Sequence, residues 1–125
     1  MIQESGTLQS PNYSDIYPRN KECFWIITVP EDFRVALRFQ SFEMARWSFS
    51  DCRPEYVEVR DGHSPESALL GKFGGYKIPA VVRSTSNKLL VKFRSDSSSQ
   101  YPGFLATFEK VLGKCRASNL QLCNK

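Results

Sequence analysis

The feature that most limits the fold of this sequence is an alternation of apolar and charged residues in short segments. In residues 56–60, valines alternate with Glu58 and Arg60. Because successive side chains of a β-strand point to opposite faces, such a segment buries one face and leaves the other in water. Asp61 and Gly62 then predict a tight turn, in which the aspartate hydrogen-bonds its own backbone and the glycine adopts positive φ.

The same period of two recurs along the chain. Residues 33–39 place four apolar side chains on one face, and residues 89–94 and 103–109 repeat the pattern. A slip of one residue in the first of these segments would bury its arginines, which fixes the register. Residues 23–29 differ because they are almost continuously apolar, which predicts a central strand buried on both faces.

Together these segments predict an all-β fold, an antiparallel two-sheet sandwich. Seven or eight short strands are separated by Gly, Pro, Asn, Asp and Ser clusters, and no helical period is present. The length of 125 residues suits one domain. Because the alternation ends near Lys110, we predict a domain over residues 1–110 and a linker or the start of another module over residues 111–125.

Charge and composition exclude several functions. The net charge of +4 comes from scattered basic residues without a run of like charges, and no nucleic-acid motif is present, so we predict no nucleic-acid partner. No apolar run approaches the roughly 20 residues of a spanning helix, which predicts no membrane insertion. The first residues do not resemble a signal peptide, so a secreted protein would contain this chain as a fragment or a mature form.

Catalytic and zinc motifs are also missing from the sequence. It has one histidine, His63, and lacks Gly-x-Ser-x-Gly, His-Glu-x-x-His and a phosphate loop. No two cysteines have the two-residue spacing of a zinc knuckle. We therefore predict a chain that is not an enzyme; if it belongs to a protease, the catalytic domain lies elsewhere.

Four blocks of sequence resemble the CUB domain, an extracellular β-sandwich module. They contain Ser-Pro-Asn-Tyr with Cys-Phe-Trp-Ile, Glu-Tyr-Val-Glu-Val-Arg-Asp-Gly, Ser-Asn-Lys-Leu-Leu-Val-Lys-Phe-Arg-Ser-Asp, and Gly-Phe-Leu-Ala, in the family's order across about residues 6–108. The resemblance implies a CUB-type jelly roll, similar to that of the spermadhesins. Residues 39–42, 58–64 and 75–76 look most like the CUB domains of tolloid-type, astacin-family metalloproteases.

The cysteines depart from the family pattern. The resemblance implies one disulfide from the position of Cys23 to an upstream cysteine, and another from Cys52 to a Phe-Cys-Gly turn. In this chain that turn reads Phe-Gly-Gly, and no cysteine precedes Cys23. Four cysteines allow three connectivities. Either Cys23 and Cys52 pair with other cysteines, including Cys115 and Cys123, or they are free thiols.

Many CUB domains hold calcium with a tyrosine, a glutamate and two aspartates. The resemblance places Tyr17 at the tyrosine, Glu55 at the first aspartate and Asp96 at the last. Ala45 stands at the glutamate position, and Glu43 is a candidate substitute. Because Ca²⁺ needs six to eight oxygens, we expect a degraded site with weak calcium binding at most, and we assign no cofactor. The alternative is that these carboxylates only cap loops and pair with arginines.

The resemblance implies that the end loops contact extracellular protein partners. Trp47 and Phe49 lie in an extended polar loop and are candidate anchors, because aromatic residues dominate interface hot spots. The other interpretation packs both rings back onto the sandwich. Asn12 begins a glycosylation sequon, whose use requires secretion.

The resulting hypothesis is a secreted, non-catalytic protein–protein interaction module, part of a larger secreted protease or matrix protein. The alternative is a spermadhesin-like module that binds glycosaminoglycans or other glycans. That function would require a continuous basic patch. The residues of this patch would be Arg34, Arg38, Lys92 and Arg94.

Overall fold

The computed structural model describes residues 4–11, 13, 21–44, 56–75, 77–95 and 102–112. These residues form eight β-strands and no helix, so the described part of the chain offers no helix that could cross a membrane. The strands are β1 (Ser5–Gln9), β2 (Glu22–Thr28), β3 (Phe33–Glu43), β4 (Tyr56–Asp61), β5 (Ala68–Phe73), β6 (Val82–Arg83), β7 (Lys88–Arg94) and β8 (Gly103–Leu112).

The strands form two four-stranded sheets. Sheet I has the order β2-β7-β4-β5, and sheet II has the order β1-β8-β3-β6. Every pair is antiparallel, which confirms the predicted two-sheet sandwich. The longest ladder joins β3 to β8, from Phe33 opposite Leu112 to Glu43 opposite Gly103, with a bulge after Phe39. Strand β8 thus runs past Lys110, and the division at residue 110 stays a prediction.

The core lies between the inward faces of the sheets. The valines of β4 are fully buried, as are Val35 and Leu37 of β3, so the period of two predicted both inward faces correctly. Phe104 of β8 is also fully buried, and its ring centroid lies 5.7 Å from that of Trp25 and 5.8 Å from that of Phe93, which both belong to sheet I. These edge and tilted ring contacts join the two sheets.

The prediction for residues 23–29 is wrong in one respect. They form the edge strand β2 rather than a central strand, and Phe24 and Ile26 point away from the core and are exposed. A continuous apolar run is normally found where both faces of a strand are covered. In β2 the inward residues, such as Ile27, are covered by sheet II, whereas the outward ones are not.

The turn after β4 forms at the predicted residues, with a different partner for its aspartate. Gly62 has a φ of 140°, where a side chain would also collide with Ser67, so glycine is required there. The Asp61 carboxylate does not bond its own backbone. It accepts hydrogen bonds from the Thr85 amide at 2.9 Å and the Thr85 hydroxyl at 2.6 Å, which ties this turn to the loop between β6 and β7.

Two buried serines form hydrogen bonds at the ends of strands. The alternation pattern did not identify these serines. The Ser84 hydroxyl accepts a hydrogen bond from the Val35 amide at 2.9 Å and donates one to the Ser86 carbonyl at 2.6 Å. At the other end of the sandwich, the Ser10 hydroxyl accepts from the Phe104 amide at 3.0 Å. Each hydroxyl satisfies a buried backbone amide, which would otherwise destabilise the fold.

We predict that Phe104→Ala lowers the free energy of unfolding by about 3–5 kcal/mol, because it leaves a cavity where the two sheets meet. Urea unfolding measures the loss. Phe24→Ala is the matched control, since this ring is half-exposed and its loss should cost about 1 kcal/mol or less. Equal losses for the two variants would contradict the assignment of the core.

We also predict that Ser84→Ala costs about 1–3 kcal/mol, because the Val35 amide is left buried without a partner. Ser86→Ala is the control, since its hydroxyl is exposed and accepts one long bond of 3.4 Å from the Lys88 amide. Thermal unfolding of both variants compares the two. A Ser84 variant as stable as the Ser86 variant would show that the buried hydrogen bond contributes little.

Candidate functional site

One end of the sandwich, here called the loop end, collects the strand termini that flank the predicted site residues. Gln9 of β1 pairs with Leu105 of β8, and Glu43 of β3 pairs with Gly103. In sheet I, Arg94 of β7 pairs with both Glu22 and Tyr56. The contacts of Phe104 with sheet I bring these two sets of termini to the same end. The connections between β1 and β2, β3 and β4, and β7 and β8 therefore all begin and finish there.

The predicted site residues belong to these three connections. Tyr17 lies between β1 and β2, Trp47 and Glu55 lie between β3 and β4, and Asp96 lies between β7 and β8. Topology thus brings to one end the chain segments that the resemblance selects. The residues themselves lie outside the described part of the chain, as do further predicted ones: Asn12, Ala45 and Phe49.

Glu43, the candidate substitute ligand, is the last residue of β3 at the loop end. It is exposed and lies between the buried Phe42 and Met44, so its carboxylate points away from the core. The described residues include no group of three His, Cys, Asp or Glu that could hold a metal. The donor set is also chemically incomplete, because Ala45 offers no side-chain oxygen. A degraded calcium site therefore stays a prediction, and we assign no role through the ion.

A shallow apolar groove lies beside the loop end, next to the last residue of β5. Its volume is about 490 Å³, and its lining includes Phe73, Ile78, Pro79 and Lys77. The amide of Met44 donates a 2.9 Å hydrogen bond to the Gly75 carbonyl, which fixes this groove to the end of β3. The groove therefore adjoins the point where the connection carrying the candidate aromatic anchors begins. In the sequence, the groove corresponds to the point where apolar residues resume after two glycines.

Cys23 carries a free thiol in the structure. It lies on β2 opposite Phe93 and is partly buried against the core. Its side chain is thus packed as a small apolar group. The other three cysteines, Cys52, Cys115 and Cys123, lie outside the described residues, so their pairing stays a prediction.

The four basic residues considered for a glycan site lie on opposite faces. Arg34 and Arg38 belong to β3 and alternate with buried residues of sheet II, so they lie on its outer side. Lys92 and Arg94 belong to β7 and lie on the outer side of sheet I. The sandwich core separates the two pairs, so the continuous patch that the glycan-binding alternative required does not form.

Lys92 has the most perturbed environment among the titratable groups of the described residues. Its ammonium lies 3.3 Å from the Glu22 carboxylate and 5.6 Å from the ring centroids of Phe24 and Tyr56. Burial alone would lower the pKa of Lys92, but hydrogen bonds and charge interactions with Tyr56 and Glu22 outweigh it and raise the pKa. Lys92 therefore stays protonated at neutral pH.

The described residues define the class of protein as a small antiparallel β-sandwich module whose connections converge at one end. The particular family follows from comparison with known proteins. The model of the CUB domain matches residues 1–108, and the chain belongs to this family. The predicted family is thereby confirmed, and with it a domain that is itself non-catalytic.

Individual relatives agree with this assignment. The chain is 51% identical to the bone morphogenetic protein 1 homolog of Strongylocentrotus purpuratus, over 90% of the chain and 17% of that protein. It is 50% identical to human tolloid-like protein 2, over 92% of the chain and 11% of that protein. The solved MASP-1 CUB2 domain bound to Ca²⁺ superposes with a TM-score of 0.77 at 30% identity, covering 87% of this chain and 95% of that one.

These comparisons also show how much of each relative the chain covers. It spans less than a fifth of the length of the curated relatives just described. The tolloid and bone morphogenetic protein 1 relatives are extracellular proteins, and the matched part is their CUB module. The predicted resemblance to tolloid-type domains is confirmed at this level.

We predict that calcium at low-millimolar concentration leaves the melting temperature of this domain unchanged, because the donor set lacks one anionic oxygen ligand. Ala45→Glu should restore that ligand and make the melting temperature rise with calcium, as expected when an ion binds only the folded state. Ala45→Gln is the uncharged control. Calcium-dependent stabilisation of the unaltered domain that disappears in Asp96→Ala would contradict the prediction.

Proposed function

We propose that this CUB domain is a secreted, non-catalytic module that binds extracellular protein partners through the connections at its loop end. The observation that carries the proposal is the strand register, which brings three connections to one end of a rigid sandwich. Binding residues are commonly found on loops that a rigid scaffold positions. The sandwich supplies that scaffold.

The chemistry at the loop end supports protein binding. The apolar groove beside Phe73 and Ile78 adjoins the connection that contains Trp47 and Phe49. A connection that contains two aromatic residues and begins next to an apolar groove suits a protein interface, where a few buried rings supply most of the binding energy. We assign the anchoring role to these two residues. Glu55, Asp96 and Tyr17 are then polar residues of the surrounding rim.

The parent protein is proposed to be a larger secreted protease or matrix protein, since the relatives are much longer than this chain. The module would then position partners or substrates for a catalytic domain outside this chain. Asn12 is the proposed glycosylation site of this secreted form. We do not propose a glycan-binding function, because Arg34 and Arg38 lie on the opposite face of the sandwich from Lys92 and Arg94.

A comparative pull-down tests the proposed function. The secreted domain is immobilised, exposed to conditioned medium with and without calcium, and its bound proteins are identified by mass spectrometry. We expect a set of partners that Trp47→Ser/Phe49→Ser loses, because the apolar anchors are removed. We further expect the same partners without calcium, since Ala45 removes one side-chain oxygen from the donor set that the resemblance implies.

The matched control is Leu112→Ser, which removes an apolar side chain that is 83% exposed at the opposite end of the sandwich. This control should retain every partner. Loss of the same proteins from both variants, or from neither, would contradict binding through the loop end. Circular dichroism of each variant confirms that the sandwich is intact.

A further inference from the structure

The outer face of sheet I, here called the sheet I face, carries apolar side chains that the described residues leave open. Phe24 and Ile26 of β2 are 50% and 56% exposed and lie two residues apart on the same side of the strand. Ile26 pairs with Leu90 of β7, and Leu90 pairs with Arg60 of β4. Leu69 of β5 continues this row opposite Arg60 and is also exposed. The exposed apolar side chains of this face thus lie on the two edge strands, β2 and β5, and the buried Leu90 and the charged Arg60 lie between them.

The neighbouring row of the same face is charged. Phe24 pairs with Lys92, Lys92 pairs with Glu58, and Glu58 pairs with Lys72. The face as a whole has an excess of positive charge among the described residues. Its basic side chains are Arg60, Lys72, Lys88, Lys92 and Arg94, and its acidic ones are Glu22 and Glu58.

Both carboxylates of the face are already paired with basic groups. Glu58 accepts a 2.6 Å hydrogen bond from Arg60 Nε, and Glu22 lies 3.3 Å from Lys92 Nζ. Lys72 lies over the ring of Tyr56, with Nζ 4.2 Å from its centroid. The fixed contacts therefore neutralise the two acids and leave a net positive field beside the exposed Phe24 and Ile26.

We propose that the sheet I face binds an acidic peptide segment of a protein partner that also carries apolar side chains. Carboxylates of such a segment complement the excess of basic groups, while its apolar residues cover Phe24 and Ile26. A second copy of this chain fits poorly, because the same positive face would meet itself. A sulfated polysaccharide or a nucleic acid would satisfy the charges but would leave the two apolar side chains uncovered.

The sheet I face is distinct from the loop end, so this proposal goes beyond the proposed function and fails separately from it. Removal of Trp47 and Phe49 leaves the sheet I face intact, and removal of Phe24 and Ile26 leaves the loop end intact. Titrating each pair of variants with one defined peptide therefore separates the two surfaces.

The test is titration of the ¹⁵N-labelled domain with a short synthetic peptide, followed by NMR. The peptide consists of pairs of glutamates and pairs of leucines, so each side of an extended chain carries both charge and apolar surface. We expect the changes in the backbone amide shifts of the domain to concentrate on β2, β7 and β4. A peptide with lysines for glutamates, and another with serines for leucines, should each bind at least about tenfold more weakly. Added salt should also weaken binding of the first peptide.

Two pairs of variants locate the contact. Phe24→Ser/Ile26→Ser should weaken binding at least about tenfold, whereas Ile78→Ser, which removes a side chain 50% exposed outside this face, should not. Lys88→Glu/Arg94→Glu should weaken binding similarly, and Lys77→Glu, outside the face, should not. Trp47→Ser/Phe49→Ser should bind the peptide as the unaltered domain does.

Three outcomes would overturn the proposal. The first is a peptide titration without shifts on the sheet I face, or with shifts at the loop end alone. The second is binding of heparin to this face that is as tight as peptide binding and insensitive to Phe24→Ser/Ile26→Ser, which would identify a surface for polyanions. The third is concentration-dependent self-association through this face without peptide, which would identify a second copy as the occupant.

Discussion

The packing of Phe104 between the two sheets is the contact on which the rest of this structure depends. Its ring is fully buried and meets Trp25 and Phe93 of sheet I as well as Phe39 of sheet II, at centroid distances of 5.7, 5.8 and 5.9 Å. Because Phe104 follows the first residue of β8, this contact aligns the sheets at the loop end. A rigid core beneath the loop end lets the connections vary in sequence while their points of attachment stay fixed.

The alternation of residues predicted the fold where a strand has one covered face, as in β3 and β4. The prediction of a central strand for β2 was wrong, because a continuous apolar run looks the same in sequence whether its outward residues are covered or exposed. Local turn rules also gave Asp61 the wrong partner, since Thr85 is 24 residues further along the chain. Ser84 was missed for the same reason. A hydrogen bond between distant segments leaves no local pattern in one sequence.

For the candidate site, the sequence predicted which connections between strands contain the site residues. The resemblance assigned residues to connections, and the observed register brought those connections to one end. Alternation also gave the direction of Arg38 and Lys92 within their own strands, which is outward in both cases. It could not show that the strands belong to different sheets, so the sequence alone left open the continuous patch that the glycan-binding alternative required. Sheet membership depends on pairings between distant residues.

The charge of Lys92, on the sheet I face, is insensitive to physiological changes of pH. The pKa of Lys92 is raised above its ordinary value of 10.5, since the hydrogen bonds and charges of Tyr56 and Glu22 outweigh its partial burial. A cationic group with a raised pKa in the folded state stabilises the fold fully below its unfolded pKa, and this contribution is lost only as pH rises through the higher folded value. Lys92 thus keeps its charge and its contact with Glu22 throughout the neutral range. Its charge therefore does not switch the face within that range, and ionic strength acts on the face by screening.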